Sequence, residues 1–112
     1  MNQETSIINK NSSGYLAVTR LAHEHPEWLL VVKICLEKAK IIRGDFAGSW
    51  ILNEFKRQGL TWQGKAWFPN LRTLASCGVL QKTHISRAGR RAYYLMPDIE
   101  GVEKALSELK EI

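Results

Sequence analysis

Between Phe55 and Pro97 the chain contains neither aspartate nor glutamate, so this long segment offers no carboxylate for general acid-base catalysis. Nowhere is there a glycine-rich phosphate loop with its lysine, nor a grouped serine, histidine and acid, and the reading is of a protein that is not an enzyme. Cysteine is scarce: Cys35 and Cys77 are the only two, each inside a stretch with helical patterning, which excludes a disulfide framework and fits a reduced, intracellular setting. No Cys-x-Cys or Cys-x-x-Cys pair occurs. His23, Glu24 and His25 crowd together before Pro26, yet Cys35, the nearest thiol, belongs to an apolar stripe, so neither a metal nor any other cofactor is expected. Runs of about 20 apolar residues are missing, as is an apolar stretch flanked by bases in the polar opening "MNQETSIINKNSSG". The expectation is a soluble, cytoplasmic protein without a membrane segment.

What is present is enough for one core. The 112 residues, 45% of them apolar, are expected to form a single domain over 1–112, with 1–12 flexible. The net charge is +5, and its distribution is uneven: +1 over residues 1–40, +7 over 41–95 and −3 over 96–112. The acid-free window holds Lys56, Arg57, Lys65, Arg72, Lys82, Arg87, Arg90 and Arg91. A block of one sign is the electrostatic footprint of a polyanion binder, whereas a merely solvated face usually mixes signs.

The periodicity predicts a mainly α chain with a small β-hairpin. A first helix starts at Ser13, with Tyr15, Val18 and Leu21 or Ala22 inward, and Pro26 separates it from a long second helix. That second helix opens at Pro26 and Glu27, closes at Gly44, and turns Trp28, Val31, Val32, Cys35, Ala39 and Ile42 inward. Asp45 or Ser49 caps a third, with Ile51, Leu52 and Phe55 inward and Gly59 as its stop. Proline is tolerated in a first helical turn, where its missing N–H would have had no acceptor, so Pro69 sets the start of a short fourth helix near 65–68 and Gly78 ends it. Trp67, Leu71 and Leu74 then share its inner face, leaving Ala66, Asn70, Thr73 and Ser76 outward with Arg72 beside them. "VLQKTHISRAGRRAYYLM" reads as two antiparallel strands joined by a turn at Ala88 and Gly89, with adjacent Tyr93 and Tyr94 on opposite faces. A C-terminal helix over 98–112 has Asp98 as N-cap and Ile99, Val102, Leu106 and Leu109 on one stripe.

Helix, helix, turn, short helix and basic hairpin is the order of a winged helix-turn-helix. "NLRTLASCGVL" followed by "GRRAYYLM" resembles the end of the recognition helix and the returning wing of ArsR-type and MarR-type transcriptional regulators, over roughly Trp28 to Met96. It departs from them in a longer turn before Leu71 and in Pro69. The resemblance implies sequence-specific double-stranded DNA binding and a role in transcription regulation. Lys65, Ala66, Asn70 and Thr73 are then candidate readers of base edges in the major groove, and Arg72 reaches base or phosphate. Lys82, Arg87, Arg90 and Arg91 on the hairpin suit backbone or minor-groove contact. Two other readings stay open: a winged-helix module that docks a protein, and one that binds RNA or single strands through Trp50, Trp62 and Trp67. A homodimer is expected, built from the first and last helices and holding two recognition helices about one DNA turn, ~34 Å, apart.

Overall fold

The computed structural model describes residues 13–60, 71–85 and 91–110. Helix α1 covers Ser13–Glu24, a 3-10 turn covers Pro26–Trp28, and α2 covers Leu29–Ile42. A two-residue strand, β1 (Phe46–Ala47), leads into α3 (Gly48–Arg57). After 61–70 come α4 (Leu71–Ser76), the strands β2 (Gln81–Ile85) and β3 (Ala92–Leu95), and α5 (Ile99–Lys110). The expected hairpin is present, but it belongs to a three-stranded antiparallel sheet of order β1-β3-β2, because β1 adds itself to β3 with Phe46 opposite Tyr94 and Ala47 opposite Tyr93. None of the described helices is long and apolar enough to cross a membrane.

The predicted inner faces are largely the observed ones. Val18, Leu21, Val31, Val32, Cys35 and Ala39 are buried, as are Ile51, Phe55, Leu71, Leu74 and Val102. Ile34 and Leu36 add to the buried face of α2, which is therefore wider than one stripe, while Ile42 is 39% exposed and does not join it. The end of α2 also differs from expectation. Arg43, not Gly44, takes the left-handed conformation (φ 58°), and its N–H donates to the Ala39 carbonyl (2.8 Å) as in a single-bond helix terminus. At the start of α3 neither Asp45 nor Ser49 caps: Ala47 holds that position in extended conformation without a side-chain bond. Pairing with β3 has already fixed the backbone there.

Both glycine stops are as predicted, and for the same reason. Gly59 and Gly78 have positive φ, at 65° and 95°. Beyond each, an apolar residue bonds back into the helix, Leu60 N–H to the Phe55 carbonyl (3.4 Å) and Val79 N–H to the Leu74 carbonyl (3.1 Å). The glycines themselves donate to Lys56 (3.0 Å) and Ala75 (3.2 Å), completing a Schellman motif at the end of α3 and another at the end of α4.

Asp98 joins the terminal helices. One of its oxygens accepts the Gly101 N–H at 3.1 Å, the expected N-cap of α5, and the other accepts the Gly14 N–H of α1 at 2.8 Å. The approach is close: a Cβ on Gly14 would lie 2.8 Å from the Asp98 carbonyl oxygen. Alongside this bond, Val18 and Leu21 of α1 and Val102 and Ala105 of α5 are all buried, and the Tyr15 hydroxyl donates to Glu108. Much of both terminal stripes is thus covered within one chain.

Candidate nucleic-acid interface

Helix α4 is held by its apolar side and offers the other to solvent. Leu71 (3% exposed) and Leu74 (0%) point inward, so the helical repeat leaves Arg72 exposed and Thr73 half-buried. Leu71 packs over Gly48 at the start of α3, where Tyr94 of β3 also arrives; a Cβ on that glycine would stand 3.4 Å from Leu71 and 3.5 Å from Tyr94. Helices α3 and α4 and the sheet meet at this point, which fixes Arg72 relative to the hairpin. The Ser76 hydroxyl donates back to the Arg72 carbonyl (3.1 Å) inside the helix.

Lys82 lies on the edge strand β2, opposite Tyr94 and exposed, and Arg91, also exposed, leads into β3. Lys65, Ala66, Asn70, Arg87 and Arg90, together with the turn at Ala88 and Gly89 and with Trp62 and Trp67, lie outside the described residues. Of the nine sequence-predicted contacts, the structure therefore describes four, Arg72, Thr73, Lys82 and Arg91, and none of the four is buried.

The acid-free run in the chain is not acid-free in space. Arg57 is bound by Glu54 one helical turn back, and Gln58 donates to the same carboxylate (2.7 Å). The hydrogen bonds from Arg57 and Gln58 hold the Glu54 carboxyl down to about 2. This pairing removes one cation from the block locally; Lys56, Arg72, Lys82 and Arg91 are also exposed among the described residues of 55–97.

A second acid arrives from further away. Asp45, just before β1, reaches across β3 to β2, where its carboxylate accepts the Thr83 hydroxyl (3.1 Å) and lies 3.3 Å from His84 Nδ1. The cause is a β-bulge. Lys82 pairs with Tyr94, but Thr83 is skipped and His84 takes the place opposite Tyr93. Simple alternation would have sent His84 to the other face; instead its imidazole stacks on the Tyr93 ring at 4.5 Å and 7°. Trp50 of α3 meets the same tyrosine edge-on at 6.1 Å. Tyr94, as expected of its neighbour's opposite, is buried at 4% exposure. Sequence reading did not find the set of Asp45, Trp50, His84 and Tyr93. The run of alternating residues carries no mark of a bulge, and Asp45 is 38 positions from Thr83.

Among the described residues no three metal-ligating side chains come together. Cys35 is fully buried and its thiol is pushed well up by that burial; burial likewise raises Cys77. No family model, no curated protein and no solved structure matches the chain.

Proposed function

We propose that the chain is a winged helix-turn-helix protein, of the kind resembling ArsR and MarR regulators, that binds double-stranded DNA in a sequence-specific way and regulates transcription. The observation that carries this reading is the junction of α3, α4 and the sheet. A short helix turns its polar side, Arg72 and Thr73, to solvent, and a basic antiparallel hairpin bearing Lys82 and Arg91 follows it directly. A helix is the element that fits the major groove, and cations on the adjacent strands suit the flanking backbone. Lys65, Ala66 and Asn70 before α4, and Arg87 and Arg90 at the turn, extend the same basic and polar series along the chain.

The working unit in this reading is a homodimer. With Val18, Leu21, Val102 and Ala105 spent inside one chain, an apolar surface that remains for a second copy is the half-buried set Leu29, Leu30, Leu106 and Leu109. These line a groove of about 550 Å³ between α2 and α5. Lys33 and Lys40 on its rim alternate with Glu37 and Glu103, a mixture of signs that suits a two-fold contact.

The test is the salt dependence of duplex binding. If about four phosphates are neutralised per protomer, log K falls against log salt with a slope of roughly −7 for the dimer. Fluorescence anisotropy on a random-sequence duplex reads it, and a slope near zero refutes the proposal.

A further inference from the structure

The Asp45, Trp50, His84 and Tyr93 cluster is left unused by duplex recognition through α4, and it is built with more care than a solvated strand edge requires. The bulge at Thr83 turns His84 onto the face of Tyr93. Asp45 then binds both the bulged residue, through its hydroxyl, and the imidazole, through Nδ1. The ring is therefore fixed from below by the tyrosine and from one edge by the carboxylate, yet the His84 side chain keeps 54% exposure. Trp50, 38% exposed, meets the Tyr93 ring edge-on and so helps to hold the ring on which His84 is stacked.

An aromatic plate held flat, with one face open, and with its rotation already frozen is the arrangement that stacks a planar ligand at low entropic cost. Charge selects among planar ligands. Arg91, exposed, lies two residues before Tyr93 and so shares its face of the strand, while Asp45 is engaged by Thr83 and His84. Such surroundings favour a base attached to phosphates over an uncharged ring.

We propose that His84, seated on a Tyr93 ring that Trp50 braces edge-on, is a stacking site for one unpaired nucleobase, at a single strand or at a base displaced from a duplex. The site does not rest on the duplex reading, since a fully paired duplex presents no open base face to it.

The test uses the full chain and three variants, His84→Phe, His84→Lys and Trp50→Ala. The two probes are a labelled ten-nucleotide oligothymidylate and an abasic strand of the same length, which has the same phosphates and no bases. Base stacking predicts that the parent binds the oligothymidylate about 5- to 150-fold more tightly than the abasic strand. His84→Phe keeps that ratio because it keeps a plate, His84→Lys loses most of it because it removes the plate, and Trp50→Ala reduces it. The parent, His84→Phe and Trp50→Ala bind the abasic strand within about twofold of each other. Equal binding of the two strands by the parent, or an unchanged ratio in His84→Lys, overturns the site, and the exposed plate is then a contact for a protein. A fully paired duplex run in parallel reports separately: failure there ends the duplex reading without touching the ratio between the two strands.

Discussion

Replacing Asp98 with alanine removes two hydrogen bonds at opposite ends of the chain in one step. The first is the N-cap of α5, accepted from the Gly101 N–H at 3.1 Å, whose loss costs about 1 kcal/mol. The second is the Gly14 N–H at 2.8 Å, in a partly buried position; a bond to an ionised acceptor contributes about 1.5–3 kcal/mol, and the donor is left without its carboxylate. Together the loss comes to about 2–4 kcal/mol, a large part of the stability expected of a domain this size. With about 2.1 cal/mol/K of unfolding entropy per residue, 112 residues give a melting shift of about 4 °C per kcal/mol, so a fall of about 8–16 °C. Asp98→Asn keeps one acceptor oxygen, enough for the Gly101 cap but not also for the Gly14 N–H, and is expected to fall between parent and alanine variant. Urea unfolding followed by circular dichroism gives the free energies, and calorimetry the melting temperatures. An alanine variant within about 0.5 kcal/mol of the parent refutes the bridging role, because surface substitutions without such a role stay in that range.

Glu54→Gln is expected to release Arg57 and to steepen the salt dependence of duplex binding by roughly one further phosphate, read by anisotropy at neutral pH. Because the Glu54 carboxyl is held low, the pair with Arg57 supports the folded state above about pH 4.5 and its support fades as pH falls toward about 2. The stability difference between Glu54→Gln and the parent therefore shrinks over that interval in acid unfolding curves. Thr73→Ala is expected to relax preference at one or two base pairs by about 1–3 kcal/mol in a selection from random duplexes, whereas Lys82→Ala and Arg91→Ala weaken all duplexes alike. Leu106→Asp combined with Leu109→Asp converts a dimer to a monomer in sedimentation equilibrium at tens of micromolar; a parent that is already monomeric there ends the dimer proposal.

The features legible in the sequence are those set by local rules. Helical periodicity marked the inner residues of α1, α3 and α4, glycine marked the stops at Gly59 and Gly78, and Asp98 announced α5, because each depends on a few neighbouring positions. Features that depend on distant partners were not legible. A two-residue strand such as β1 has no period to detect, and Asp45 looked like a cap because its actual acceptor role is fulfilled by a strand far along the chain. The terminal stripes were visible as stripes, but nothing local says that α1 and α5 cover each other. In the candidate interface, the charge run pointed to Arg72, Lys82 and Arg91 as exposed cations. Arg57 is in the same run, and its neutralisation by Glu54 required knowing that the two share a helical turn with suitable geometry. The stack of His84 on Tyr93 depends on a register shift that composition does not encode.

The close seat of Gly14 against Asp98 joins residues 84 positions apart, and that separation has a consequence in time. At synthesis rates of about 5–20 residues per second, α1 leaves the ribosome's catalytic centre roughly 4–17 s before the strand of chain that covers it has been made. Through that interval Val18 and Leu21, fully enclosed in the finished protein, have no α5 to lie against. A message cut short before residue 98 yields a chain whose first helix never finds its cover.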